Sequence, residues 1–200
     1  KLPDSIRSSG KLRIGTDASY APNQFTEGNT IVGSEVDLFN AVAKKMGVTA
    51  EWENAKFGTI IPGITSSKYD LGVSSFTIND ERRKQVLMVS YFNAGTQWAT
   101  QAGNPKGVDP DNPCGKNVAV QADTVQDQDD LPARQKKCGS NPMKIQKYAG
   151  QDTATAAVVT GKADAMLADS PVTAYAVSKS GGKLELLGEV YDAAPYGVVV

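Results

Sequence analysis

The chain has 200 residues, of which 40% are apolar, and its formal net charge is −1. That length and apolar share suffice for one large domain or two small ones with a sizeable core. The near-neutral charge gives no argument for a nucleic-acid surface or an anionic membrane surface, and no apolar stretch approaches the roughly 20 residues that cross a bilayer.

Histidine is absent from the sequence. The chain therefore lacks the usual general base and the usual transition-metal ligand, and we expect neither a metal site nor a cofactor. No signal peptide is visible, which predicts a cytosolic, processed or trimmed chain.

Strand and helix patterns alternate through the first half of the chain. A strand is predicted at residues 12–15, followed by a helix at 35–46 that stops at Gly47. Its buried face is predicted to consist of Val36, Phe39, Val42, Ala43 and Met46. Further strands are predicted at 49–53 and 86–89. Between them lies an apolar helical pattern that starts at Phe57 and that Pro62 should bend or shorten.

The second half begins after residues 101–117, whose prolines and glycines predict a loop. The predicted elements that follow are strands at 118–120 and 165–167, an extended segment at 143–148, and helices at 125–137, at 153–160 and after Ser170-Pro171. This alternation predicts α/β layers with parallel strand pairing.

The most informative motif is residues 74–82, SSFTINDER, which follow a short apolar strand. Hydroxyl groups come first and the guanidinium of Arg82 comes a few residues later, an arrangement suited to gripping a small carboxylate. The structural alternative is a helix cap at Asn79 or Asp80 with Arg82 as a solvated first-turn charge.

Four segments of the sequence stand out as a set: residues 12–22 (LRIGTDASYAP), 33–39 (GSEVDLF), 74–82 and 162–171 (KADAMLADSP). In this order they resemble the polar amino-acid-binding members of the periplasmic solute-binding proteins that serve ABC importers. The resemblance implies an α/β, two-lobed Venus flytrap fold with hinge strands. It divides the chain into a first lobe at 1–96, a second lobe at 97–193 and a return hinge strand at 194–200. Relatives continue with helices that complete the first lobe, so we expect the C-terminal part of that lobe to be missing.

The resemblance also implies a ligand site shared by the two lobes. Arg82, with Ser75 and Thr77, matches the family's carboxylate grip. Thr124 and the backbone N–H of Val125 match a second grip at a helix start, where the alternative is an ordinary cap.

The ligand's ammonium group and side chain have candidate partners as well. Asp169 matches the aspartate that pairs with the ammonium, and its alternative is a capping carboxylate. Tyr20 and Phe57 match aromatic walls, for which plain core packing is the alternative. Asp17 matches the position at the far end of the ligand side chain, and Gln121 matches a second specificity position.

The function implied is an extracytoplasmic binding protein, in the periplasm or at the cell surface with or without a lipid anchor. It would bind a basic amino acid (arginine, lysine or histidine), with glutamine second, and dock on a membrane ABC permease. We expect no enzyme activity. The alternatives are a dehydratase-like enzyme on the same scaffold and a sensor or receptor ligand-binding domain.

Cys114 and Cys138 are the two cysteines of the sequence. Two thiolates cannot build a four-ligand zinc site, which leaves a disulfide or two unpaired thiols. The resemblance favours the disulfide, because the family works outside the cytoplasm.

Overall fold

The computed structural model describes residues 2–200 of a mixed α/β protein. Contacts divide it into two compact units. The first unit extends to Phe92 and includes Pro195–Val200, and the second unit is Asn93–Ala194. Two long strands, β7 (Met88–Gln101) and β11 (Leu184–Val199), each contribute residues to both units.

The first unit contains a parallel sheet in the order β5-β1-β6, with the end of β11 antiparallel to β6. Its strands are β1 (Lys11–Thr16), β2 (Ser19–Tyr20), β3 (Gln24–Glu27), β4 (Thr30–Val32), β5 (Thr49–Asn54) and β6 (Leu71–Gly72). Its helices are α1 (Asp4–Ser9), α2 (Ser34–Met46), α3 (Phe57–Thr65) and α4 (Asp80–Arg83). Strands β2, β3 and β4 form a separate antiparallel meander.

Two apolar clusters form the core of the first unit. One joins Leu12 and Ile14 of β1 to Phe39 of α2, and the other joins Ile60 of α3 to Val199 of β11. Helix α2 ends at Gly47, whose φ of 75° is the left-handed conformation that a helix stop needs. Each of the two helices therefore buries an apolar face against strands of this unit, α2 in one cluster and α3 in the other.

The second unit contains the parallel strands β10-β8-β9, with β7 antiparallel to β10. Its strands are the second part of β7, β8 (Asn117–Gln121), β9 (Lys144–Tyr148), β10 (Ala165–Asp169) and the first part of β11. Its helices are a π-helix (Gln126–Asp130), α5 (Leu131–Lys137), α6 (Gln151–Val159) and α7 (Ser170–Lys179). Leu131 of α5 packs in one core cluster and Val158 of α6 in another.

The structure corrects several sequence predictions. The strand predicted at 86–89 begins only at Met88 and continues to Gln101. Met46 is 39% exposed, so it does not belong to the buried face of α2 as the sequence predicts. Pro62 does not shorten α3, which continues to Thr65. Within residues 2–200, no helix combines the length and hydropathy that crossing a membrane requires.

The predicted disulfide is confirmed. Cys114 and Cys138 are bonded, and they tie the loop between β7 and β8 to the C-terminal end of α5. Cys138 is buried in the same apolar cluster as Leu131. The bond therefore fixes a proline- and glycine-rich segment that has little regular structure of its own.

Candidate functional site

Arg82 lies in the short helix α4 and is held by two groups from the preceding loop. Its backbone N–H donates to Oδ1 of Asn79 at 2.9 Å, which is the predicted helix cap. Its Nη1 donates to the carbonyl oxygen of Thr77 at 2.7 Å. The side chain is 9% exposed, so the alternative of a solvated first-turn charge is wrong.

The guanidinium of Arg82 lies beside a pair of aromatic rings. Its central carbon lies 5.3 Å from the ring centroid of Phe57 and 5.4 Å from that of Phe76. The two rings stack on each other with centroids 4.6 Å apart. Cation–π contact of this kind stabilises a charge that has lost part of its water, and it restricts where the guanidinium can turn. Three of the predicted site residues (Arg82, Thr77 and Phe57) thus lie together.

Asp17 makes hydrogen bonds through both carboxylate oxygens. Oδ1 accepts from the N–H and the hydroxyl of Ser19, at 3.1 and 2.6 Å, and Oδ2 accepts from the N–H of Phe57 at 3.0 Å. Phe57 is the first residue of α3, so Asp17 places a negative charge at a helix N-terminus. The residue is buried, and its carboxylate orients both the loop after β1 and the start of α3.

Ser75 has a φ of 52°, which is uncommon for a residue with a side chain. Its hydroxyl donates to Oε1 of Glu35 at 2.7 Å, and its N–H donates to Oε2 at 3.1 Å. Its oxygen accepts from the side-chain amide of Asn23 at 3.0 Å. A buried network from α2 and the meander therefore fixes Ser75 in place.

Tyr20 ends the short strand β2, and its carbonyl accepts from the N–H of Asn23 at 3.0 Å, which closes a turn before β3. The side chain is buried. In this unit the predicted residues lie next to strand ends and helices or in the loop between β6 and α4: Asp17 follows β1, Tyr20 ends β2, Phe57 starts α3, Ser75 and Thr77 lie in that loop, and Arg82 lies in α4.

In the second unit, Asp169 ends β10 and directly precedes α7. Its side chain makes no capping hydrogen bond to α7, so the alternative of a capping carboxylate is not supported. Instead Oδ1 accepts from Nε2 of Gln126 at 2.8 Å. The same Nε2 donates to Oγ1 of Thr96 at 2.9 Å, and all three side chains are buried.

The segment after β8 contains the remaining predicted residues. The hydroxyl of Thr124 donates to the carbonyl of Gln121 at 2.8 Å and accepts from the N–H of Asp127 at 3.3 Å. Thr124 therefore caps the helical segment, as its structural alternative proposed. Nε2 of Gln121 donates to the carbonyl of Ala149 at 3.3 Å, and Val125 lies directly before the π-helix.

Two residues that contact the predicted site, Glu35 and Gln126, are not among the residues that the sequence motifs predict. Glu35 lies four residues before Phe39 and eight before Ala43, and all three are buried. That spacing places Glu35 on the apolar face of α2, and burial of its carboxylate was predictable from it. Gln126 had no comparable signal, because it occupies the first position of a π-helix in a polar segment.

The chain is similar in sequence and in structure to known amino-acid-binding proteins. The arginine-binding protein ArgT of Corynebacterium glutamicum is 38% identical over 200 residues, which are 98% of this chain and 66% of that protein. The structure of an ancestral arginine-binding protein bound to arginine matches with a TM-score of 0.88 and 32% identity, over 96% of this chain and 84% of that one. The ancestral amino acid-binding protein AncCDT-1, a precursor of cyclohexadienyl dehydratase, matches with a TM-score of 0.87 and 32% identity, over 98% and 84% of the two chains.

The fold expectation is confirmed by these matches, which are to two-lobed amino-acid-binding proteins. The chain spans 66%, 62% and 61% of the length of three curated relatives it matches, ArgT and two other proteins that bind arginine or lysine, arginine and ornithine. The family model of the bacterial extracellular solute-binding proteins, family 3, matches residues 12–179. The chain therefore belongs to the bacterial extracellular solute-binding proteins, family 3.

Proposed function

We propose that this chain is the ligand-binding part of an extracytoplasmic importer component that captures a basic L-amino acid. The observation that carries the proposal is the buried guanidinium of Arg82, held on the carbonyl of Thr77 and against the ring of Phe57. Burying a guanidinium is costly, and a fixed planar fork matches a carboxylate. The arginine-bound ancestral structure supports this ligand class.

In this proposal Arg82 binds the ligand carboxylate, and the N–H of Val125 gives a second grip at the helical start that Thr124 caps. Asp169 binds the α-ammonium group, since each buried ligand charge needs an opposite charge or donors. Ser75 and Thr77, which belong to the first unit, orient the groups that bind the ligand carboxylate.

The ligand side chain would lie among Asp17, Tyr20, Phe57 and Gln121. Aromatic faces pack against an aliphatic stem and also attract a cation, by about 0.5–2 kcal/mol. The carboxylate of Asp17 favours a guanidinium, an ammonium or an amide. Arginine and lysine therefore rank first, histidine belongs to the same class, and glutamine is second.

Capture would follow from a shift of population. A ligand that uses groups from both units binds a closed state better than an open one and moves a hinge equilibrium toward closure. The closed form would then dock on a membrane ABC permease, in the periplasm or at the cell surface.

A dehydratase is the second candidate, and the similarity to AncCDT-1 is the observation that favours it. Such an enzyme needs a general acid or base beside the carboxylate grip. In this chain the carboxylates of Asp17 and Asp169 already accept hydrogen bonds within their own units. A prephenate-like acid should therefore be recovered unchanged after incubation with the protein, and turnover would favour the enzyme.

A thermal-shift screen of the proteinogenic amino acids tests the proposed function. A ligand at about 100 times its Kd adds about 2.7 kcal/mol to the apparent stability. We expect arginine, lysine or histidine to raise the melting temperature most, and alanine to leave it unchanged. If no amino acid raises it, the proposal is wrong.

A further inference from the structure

The buried amide of Gln126 donates to two acceptors in the second unit. Nε2 lies 2.8 Å from Oδ1 of Asp169 and 2.9 Å from Oγ1 of Thr96. A side-chain amide has two N–H hydrogens, so one can point at each acceptor. Thr96 on β7 thereby fixes the direction from which Gln126 approaches the carboxylate.

The π-helix explains how this amide reaches the strands. Gln126 and the next residue, Asp127, are both buried, at 2% and 4% exposure. Asp127 accepts from the N–H of Asp123 at 3.0 Å and pairs with Lys147 at 2.8 Å, while Gln126 bonds to Asp169 and Thr96. Single π turns of this kind occur frequently at functional sites.

Gln126 is uncharged, which matters for the charge of the Asp169 carboxylate that it contacts. A lysine or arginine in its place would pair with Asp169 and cancel the charge that a ligand ammonium needs. An amide supplies a directed hydrogen bond to the carboxylate and leaves its net charge unchanged. Gln126 thus orients the carboxylate without itself neutralising it.

We propose that Gln126 is a positioning residue that holds Asp169 in the orientation that binds the ligand's α-ammonium group. This inference rests on the proposed function, because it assigns Asp169 to that ammonium. It goes further in that Gln126 sets how strongly the protein prefers an amino acid over the same molecule without its amino group.

The test compares L-arginine with 5-guanidinopentanoate, which lacks the α-amino group, by isothermal titration calorimetry. Gln126→Met keeps the length of the side chain and removes its donor. We expect this variant to lose about tenfold in affinity for L-arginine and less than about twofold for the analogue. Equal losses for both ligands, or no loss for either, would overturn the inference.

A matched control and a second variant make the result independent of folding. Gln128 lies on the same π-helix and is exposed, so Gln128→Met should bind both ligands as the wild type does. Thr96→Val removes the second acceptor of the amide with little change in shape. If Gln126→Met does not fold, Thr96→Val should still reduce the ratio of the affinity for L-arginine to the affinity for 5-guanidinopentanoate. An unchanged ratio would contradict the inference.

The two proposals fail in different ways. If the wild type binds neither ligand, the proposed function fails and the inference fails with it. If the wild type prefers L-arginine and Asp169→Asn abolishes that preference while Gln126→Met retains it, the proposed function stands and only the role of Gln126 is wrong.

Discussion

The carboxylate of Glu35 accepts two hydrogen bonds from Ser75, one from its hydroxyl at 2.7 Å and one from its backbone N–H at 3.1 Å. Ser75 has a φ of 52°, a conformation that residues with a Cβ adopt rarely and at a cost in free energy. A charged acceptor that binds both donors offsets that cost. Glu35 on α2 therefore maintains the backbone at the start of the segment that leads to Arg82.

The first prediction concerns Glu35→Gln. A glutamine offers one acceptor oxygen, and its amide group would face a donor of Ser75. Leaving a buried donor unsatisfied in this network should lower the free energy of unfolding by about 2–4 kcal/mol, as measured by urea denaturation.

Asp37→Asn is the control for this prediction, since Asp37 lies in the same first turn of α2 and is exposed. Its effect should stay below about 1 kcal/mol. Equal stability losses for the two variants would show that the Glu35–Ser75 pair contributes nothing specific.

The second prediction concerns the disulfide. The bond joins residues separated by 24 positions, and a loop of that size stabilises the folded state by about 3.5 kcal/mol in the chain-entropy model. The double substitution Cys114→Ser and Cys138→Ser should lower the unfolding free energy by that amount. A reducing agent should destabilise the wild type similarly and leave the double variant unchanged; a wild type indifferent to reduction would contradict the prediction.

The third prediction is a loss of stability at high pH caused by Tyr191. Burial, and then the hydrogen bond that its hydroxyl donates to Asp130, raise the pKa of Tyr191 above its usual value near 10. The indole N–H of Trp98 donates to the same hydroxyl at 2.8 Å. Above about pH 10 the folded state thus keeps a proton that the unfolded state loses. The contribution of Tyr191 to the free energy of unfolding is therefore complete below about pH 10 and decreases as pH rises beyond it.

Urea denaturation between about pH 8 and pH 11 checks this dependence. The unfolding free energy of the wild type should fall over that range, and that of Tyr191→Phe should fall less. If the two proteins have parallel pH profiles, Tyr191 is not the group responsible.

The fourth prediction concerns acid. Nε and Nη2 of Arg13 donate to the two carboxylate oxygens of Asp70, at 3.0 and 2.8 Å, and the hydrogen bonds of this pair lower the pKa of Asp70. The stability from this pair is present above the unfolded pKa, near 3.9, and is lost as pH falls through the lower folded value. Asp70→Asn should be less stable than the wild type at neutral pH, and the difference should shrink below about pH 4. A difference that does not depend on pH would contradict this account.

The spacing of apolar residues predicted most of the helices and strands, because each of them buries the side chains of one face. Helix α2 shows this: Val36, Phe39 and Ala43 are buried as predicted. The sequence could not show that β7 would continue from Met88 to Gln101, because its first residues are partly exposed and carry no alternation of burial. Strand pairing over a long distance, rather than local pattern, determines that length.

The candidate site was predictable where a residue's role is local. Asn79 caps α4 and Thr124 caps the helical segment after β8, and both follow from the short distance between side chain and backbone. Glu35 and Gln126 act on residues 40 and 43 positions away, Ser75 and Asp169. Contacts over such separations depend on the tertiary fold, which is why sequence analysis alone did not reach them.

The most direct test of the central claim is isothermal titration calorimetry of L-arginine with the wild type, Arg82→Ala and Arg83→Ala. Arg83 is the exposed neighbour of Arg82 in α4 and serves as the matched control. If the guanidinium of Arg82 binds the ligand carboxylate, its removal should weaken binding at least about a hundredfold, because a desolvated carboxylate is left without its partner. Arg83→Ala should then bind like the wild type, whereas an Arg82→Ala affinity within about threefold of the wild type would contradict the account.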